Sequence, residues 1–396
     1  MSESTPDRAQ CGIPGAIEHR LRVVHVAPMP FPAPWGSQVF VGRMAQALAR
    51  RGHDVAVACY SGGEEAPLDG VRVVRGTRVP GGDFSRSGPH WSRPLQDLAL
   101  SRAIYRLDGV DVFHAHNVEG PLVTRLARVR APVVYGQHTA MGEELAQWFP
   151  LPGVRWLGRA VDWLTPRLAD TSLALSRSGM ATLPAGSSLC PPGVDLDDLA
   201  GADAERARRA WSLGEGPWVV YAGNTDPYQE IDRLVRAMVD VPEAGLLVVG
   251  SGPAAPWREL AREVGLPDSR VRVVGEASFA QMKDALAVGA VGVCPRRLCR
   301  GFPIKLLNQL GLGLPTVCAP GSARPIDGVV VPEDDSLAAL AAAIRALVTD
   351  PSRCELLSHA ARSDVERRWT WDVRAAQLER VYMRLLDRGS YPPATD

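Results

Sequence analysis

Four cations crowd into ten positions of the chain: Arg296, Arg297, Arg300 and Lys305. The residues among them give the cluster a chemical sense. A turn holding Gly301 leads into a helix expected to open with Phe302, Pro303, Ile304 and Lys305. Proline suits the first turn of a helix, where its missing N–H would be unpaired anyway. The N–H groups of such a turn carry partial positive charge and suit a phosphate. Gly301 lets a ligand approach the backbone closely, and Lys305 adds a full charge on a flexible stem. Asn308, three positions on, shares that helix face. The segment therefore reads as a helix start built for an anionic, phosphorylated ligand, with Arg and Lys neutralising a diphosphate leaving group. The plainer reading is a solvated basic loop, and Pro303 argues against it.

Elements must hold this cluster in place. A buried strand is expected just before it, from Ala290 to Val293, and Pro295 ends the run. Near the start of the chain, Leu21 to Ala27 reads as a strand, followed by a Pro-rich loop ending in Gly36-Ser37. A helix over Val39 to Arg50 has Gly52 as its C-cap. Further strands are expected at Asp54–Tyr60, Val71–Val74, Val110–His114, Pro132–Tyr135 and Leu173–Ser176, the last of the first half. Helices lie between, one of them from Leu95 to Leu107, and 76–94 reads as a surface loop. A second series starts at Trp218 and continues through Ala244–Gly250, Val271–Gly275 and Val329–Val331. It closes with helices over Leu337–Val348 and Val373–Arg388. This alternation specifies an α/β chain with two doubly wound, Rossmann-like domains facing across a cleft.

The motif resembles the donor-binding segment of the retaining glycosyltransferase family 4, whose members have the GT-B fold. The family's pattern is E-G-F-P-x-x-x-x-E, followed by a small-residue helix and G-x-P-V-V. Gly301, Phe302, Pro303, Gly313, Pro315 and Val317 match it. Arg300 and Asn308 replace the two glutamates, and the K-L-L-N variant resembles a sub-pattern of the family. The ends of the first helix (Gly52-His53-Asp54-Val55) and of the linker (Pro191-Pro192-Gly193-Val194-Asp195) are also similar to family segments. The resemblance implies a disordered leader over 1–20, an acceptor-side domain over 21–190, a donor-side domain over 191–372 and a crossing helix over 373–390. It implies transfer of a sugar from a UDP- or GDP-linked donor, with retention and without a metal. The acceptor is expected to be a glycan or a small molecule, including a specialised metabolite. A catalytically silent, nucleotide-binding or regulatory relative is the alternative, resting on the absent glutamates.

Other candidates follow from the same resemblance. His138, at the end of the VVYGQH strand, matches the histidine that the family places near the donor sugar, and with Arg300 and Lys305 it forms the catalytic set. Gly36 and Ser37 can bring backbone N–H groups to a phosphate. The family's G-R…K pair falls at Asn224, Thr225 and Gln229, without the charges. Gly250 and Glu276 follow donor-side strands. His116, Asn117 and Glu143 are acceptor-side candidates. The run Gly250-Ser251-Gly252-Pro253-Ala254-Ala255 imitates a dinucleotide fingerprint. It lies mid-chain and carries Pro253, and a nicotinamide site belongs in the first βαβ unit.

Composition sets the outer bounds. At 396 residues and 46% apolar, two full cores are available, and a formal net charge of zero gives no pull toward nucleic acid. No run reaches the ~18 apolar residues of a membrane span. The seven cysteines are scattered, without a C-x-x-C pair, as expected of free thiols in the cytoplasm. Lysine occurs only at 283 and 305.

Overall fold

The computed structural model describes residues 20–33, 36–63, 67–82, 90–149, 151–299 and 301–389. The expected leader falls outside this set except for Arg20, and so does Arg300. The first sheet contains β1 (Arg22–Ala27), β2 (Asp54–Cys59), β3 (Val71–Arg75), β4 (Val112–His116), β5 (Val133–Gln137), β6 (Thr171–Ala174) and β7 (Ser188–Leu189). Their order is β3-β2-β1-β4-β5-β6-β7, parallel throughout. The second sheet contains β8 (Trp218–Gly223), β9 (Gly245–Gly250), β10 (Val271–Val274), β11 (Val291–Cys294), β12 (Thr316–Cys318) and β13 (Val329–Val330). It runs β10-β9-β8-β11-β12-β13, again parallel. Helices cover both faces of each sheet, which explains why its central strands are continuous apolar runs rather than alternating ones. Strand order reverses between β1 and β4, and between β8 and β11. Ligands of such sheets sit beyond the strand ends at these reversals.

Three differences from the sequence reading have physical causes. The strand expected to close the first half is followed by β7, whose two residues are too few to show a period. The helix expected from Val39 begins at Gly36, so Gly36 and Ser37 belong to its first turn. A helix over Pro351–Arg368 went unread, because its only buried residues are Ala361, Asp364 and Val365 and no apolar stripe marks it.

Two strands of chain connect the halves, and they touch. Val194 donates to the Trp369 carbonyl at 2.8 Å, and Trp371 donates back to Val194 at 3.2 Å. A Cβ at Gly193 would stand 2.6 Å from the Trp371 nitrogen, so only glycine lets the two crossovers lie together. The last helix, Trp371–Gly389, then packs on the first half, with Trp371, Ala375, Leu378 and Tyr382 in the core beneath the helix Gly36–Arg50. Polar contacts lock it there. Glu379 accepts from Arg51 at 2.6 Å and from His53 Nε2 at 2.9 Å. His53 Nδ1 accepts the Leu21 N–H, so the proton lies on Nε2. Burial lowers the pKa of this histidine despite the carboxylate beside it.

Glu379→Ala leaves Arg51 without its carboxylate in a largely buried site. It should cost about 3 kcal/mol of stability in urea unfolding, and a loss below about 0.5 kcal/mol would show that the last helix is held by packing alone.

Candidate active site at the two sheet reversals

Beyond β8 and β11 lies a cavity of about 290 Å³ lined by Gly223, Asn224, Gln229, Arg296, Gly301–Lys305 and their neighbours. The helix Ile304–Gly311 starts at its wall. The helix starts two places later than expected, so Pro303 occupies the cap position instead of the first turn, and no side chain caps the end. The helix thus presents its first turn to the cavity without a side-chain competitor. Leu306, Leu307 and Leu310 anchor its opposite face in a core.

Lys305 is half-buried and reaches back under β8. Its ammonium donates to Gln229 Oε1 at 2.7 Å and to the Tyr221 hydroxyl, and it lies 4.3 Å from the centre of the Tyr221 ring. Tyr221 in turn donates to the Asn224 carbonyl. Both partners of the ammonium are neutral, and among the described residues no carboxylate pairs with it. Burial pushes its pKa down to about 8. Gly223 makes room for it, since a Cβ there would lie 3.1 Å from Nζ. Asn224 turns its Nδ2 to Asp226 at 3.0 Å and to the Tyr228 hydroxyl at 2.6 Å, while its buried Oδ1 has no partner.

The other cations are not equivalent to Lys305. Arg297 is committed to Glu230, which accepts from its Nε at 2.9 Å and Nη2 at 2.7 Å. Arg296 stacks 4.7 Å from the Tyr228 ring centre, donates Nε to the Leu298 carbonyl at 2.7 Å and lines the cavity. Asn308 is half-buried one turn deeper, outside the cavity lining. Gly250 and Gly252 serve packing. A Cβ on either would lie 2.3 or 2.2 Å from the Thr225 side chain, so the apparent dinucleotide fingerprint is a seat for Thr225. Glu276 is exposed, with a φ of 53°.

In the first half stands a row of histidines, His25 within β1, His114 and His116 within β4, and His138 just past β5. His25 Nδ1 meets His116 Nε2 at 2.9 Å, and His116 Nδ1 meets His138 Nε2 at 3.0 Å. His114 Nδ1 meets the Tyr382 hydroxyl at 2.8 Å. His25, His114 and His116 are fully buried, whereas His138 is half-buried against the edge of Phe40. One ring nitrogen from each of His25, His114 and His116 lies within 4.8 Å of the others, a proximity the sequence did not suggest. These rings stack, at 10° for His25 with His116 and 25° for His114 with His116. Metal ligands must instead point their in-plane lone pairs at one centre. Burial pushes His25 to about 3 and His138 to about 4, and holds His114 and His116 well below the ordinary value, so all four are neutral.

Neutral rings carry one proton each, so the three N–H bonds of His25, His116 and His138 must point the same way along the row. His25 Nε2 is buried without a partner. A buried orphan N–H is rarer than an orphan acceptor. The protons therefore run along the row from His25 toward His138, which carries its own on Nδ1. His116 lies one ring behind it. Asn117, with a φ of 57°, turns the chain after β4. Glu143 belongs to the helix Met141–Trp148. Gly36 faces open space at the start of its helix.

Residues 35–198 match the model of Glycosyltransferase Family 4, and residues 216–350 match that of Glycosyl transferases group 1, about three quarters of the chain between them. The chain belongs to glycosyltransferase family 4. Similar curated proteins include the phosphatidyl-myo-inositol mannosyltransferase of Mycobacterium tuberculosis, 26% identical over 93% of this chain and 98% of that protein. The D-inositol 3-phosphate glycosyltransferase of Xylanimonas cellulosilytica is 28% identical, over 92% and 96%. Among solved structures, the sucrose-phosphate synthase of Thermosynechococcus elongatus superposes with a TM-score of 0.75 at 19% identity, covering 93% of this chain and all of that one. The Anabaena protein HepE in complex with UDP gives 0.71 at 15% identity, over 92% and 100%. The two parallel sheets are those of the GT-B fold, and the protein is a glycosyltransferase.

Sequence reasoning found the helix start and missed what surrounds Lys305. Tyr221 sits in an apolar strand with nothing to mark it. Gln229 carried a faint signal, since it stands where the family has a lysine and now accepts a bond from one. His25 needed the β1–β4 register, which pairs it with His114.

The row of neutral histidines has a consequence for stability. Their folded pKa values lie below the unfolded value of about 6.5, so unfolding takes up protons on the acid side and stability falls as pH drops below 6.5. With four groups the slope approaches about 5 kcal/mol per pH unit well below that point. Urea unfolding at pH 7, 6 and 5 should show this steepening, and equal stability at pH 7 and 5 would contradict neutral burial of the row.

Proposed function

We propose that this glycosyltransferase moves a sugar from a UDP- or GDP-linked donor to a small-molecule acceptor such as a specialised metabolite, with retention and without a metal ion. The observation that carries the donor chemistry is the buried, uncompensated charge of Lys305. An ammonium has three N–H bonds. Gln229 and Tyr221 take two, and the third is left for a ligand oxygen in the cavity. A cation held by neutral partners in a low-dielectric wall keeps its full field for the charge that grows on a departing diphosphate. The helix start at Ile304 adds its dipole, Arg296 adds a second charge, and the unpartnered Asn224 Oδ1 offers an acceptor to a donor hydroxyl.

Retention follows from reaction on one face, with the leaving phosphate oxygen taking the acceptor's proton as the new glycosidic bond forms. In this scheme His138, neutral and presenting Nδ1–H, binds a sugar oxygen and orients the donor rather than transferring a proton. Lys305 and Arg296, with Arg300 from the same motif, take the role that a metal ion has in other transferases. The silent-relative reading rested on the missing glutamates. The names of the relatives, which are enzymes, give it no support. The seat of Thr225 on Gly250 and Gly252 argues against a nicotinamide site.

Lys305→Ala should lower kcat/KM for transfer or donor hydrolysis by about 10²–10³, the effect of removing one positioned transition-state contact, with little change in unfolding midpoint. Unchanged kcat/KM would overturn the role of Lys305. In the same assay EDTA should leave the rate intact, and a loss restored by manganese or magnesium would overturn the metal-free scheme.

A further inference from the structure

A second, larger cavity of about 940 Å³ adjoins the donor cavity, and the two share Cys299 and Phe302 in their walls. It opens between the chain ends that follow β6 and β12 and one face of the last helix. Seven arginines line it, and among the described residues no aspartate or glutamate does. Arg368 grips Asp364, which makes it the one of the seven with a carboxylate among the described residues. Arg324 donates to the backbone carbonyls of Gly321, Ala323, Cys299 and Gly301, and Arg384 donates Nε to the Arg380 carbonyl at 3.2 Å. Arg177, Arg324, Arg367, Arg374, Arg380 and Arg384 are without a carboxylate there.

Arg374 is the telling one. It is only 5% exposed, its guanidinium lies 4.3 Å from the centre of the Trp369 ring, and one nitrogen donates to Gln377 Oε1 at 2.8 Å. Its Nε is buried without a partner. Burial pushes its pKa down to about 10. A buried guanidinium with an open N–H and no counter-ion is costly unless an anion completes it. Around it, Arg177, Arg380 and Arg384 stand exposed at the cavity's rim.

We propose that this cavity holds the phosphate of the acceptor, with Arg374 as the inner contact and Arg177, Arg380 and Arg384 closing over its charge. Several guanidinium forks suit the free oxygens of a phosphate, whether monoester or diester, whereas a carboxylate is satisfied by one. The shared wall at Cys299 and Phe302 sets the occupant beside the donor, as an acceptor must be. Phe302, Trp369 and Val381 leave apolar surface for the rest of the molecule. The relatives named above act on an inositol phosphate and on a phosphatidylinositol, which both carry a phosphate. The inference rests on the donor reading of the neighbouring cavity. The phosphate can belong to a soluble ester or to a lipid headgroup.

The test uses the full chain with its donor site first saturated by UDP or GDP, and that titration checks the donor reading independently. Inorganic phosphate is then titrated calorimetrically, and vesicles of phosphatidylinositol are compared with vesicles of phosphatidylcholine. Binding of inorganic phosphate assigns a soluble ester, and binding of phosphatidylinositol vesicles alone assigns a lipid headgroup. In either case the double variant Arg380→Gln/Arg384→Gln should weaken the interaction at least tenfold and leave nucleotide affinity unchanged. Arg374→Gln should abolish it. The rim variant keeps the test decisive if Arg374→Gln does not fold. Nucleotide binding without binding of either probe, or a rim variant with wild-type affinity, would overturn the phosphate site while leaving the donor assignment standing.

Discussion

A lysine held under a sheet by two neutral partners is the constraint that organises the proposed donor site. Were a carboxylate beside Lys305, the pair would be more comfortable and less useful, since its field would already be cancelled. Tyr221 and Gln229 fix the ammonium without neutralising it. Burial makes the charge expensive, seen in its lowered pKa, and in the proposed reaction the diphosphate is what relieves that expense. The surrounding choices follow. Gly223 leaves space for the side chain, Glu230 draws Arg297 away, and an uncapped helix start faces the same cavity. Sites of this kind trade stability for function.

The first half uses the opposite device. There the ionisable groups are stripped of charge. His25, His114, His116 and His138 sit in a row whose burial, complete for the first three, keeps every ring neutral. The row ends in the neutral ring of His138 and not in a cation. Tyr382 of the last helix closes the back of the row through His114. The helix that crosses between the halves thus touches both the histidine row and, through Arg374, the basic cavity. Gly193 and the paired crossovers at Val194 and Trp371 set where that helix begins.

Much of this was legible in the sequence, and the reasons are local. Gly301 to Lys305 announced a helix start because proline and glycine constrain the backbone whatever the fold. The apolar runs of β1, β8 and β9 announced buried parallel strands because both of their faces are covered. What failed to show depends on residues distant in sequence. Lys305 finds Tyr221 and Gln229 only when β8 and β11 are neighbours. His25 joins His114 only through strand register. Gly250 and Gly252 imitated a phosphate loop that their mid-chain place and Pro253 already argued against, and the position of Thr225 gives the packing reason for both glycines. The exchange of the family's lysine for Gln229 was visible, yet its meaning needed the folded chain.

The chain's two lysines make the central claim directly measurable. With ¹³C-labelled lysine, the two side-chain signals can be followed by NMR through a pH titration and assigned with Lys283→Arg. The account predicts that Lys305 titrates near 8 in the free protein and that its pKa rises when UDP or GDP binds, because a diphosphate favours the ammonium. An ordinary lysine pKa in the free protein, or a Lys305 signal indifferent to both nucleotides, would contradict it.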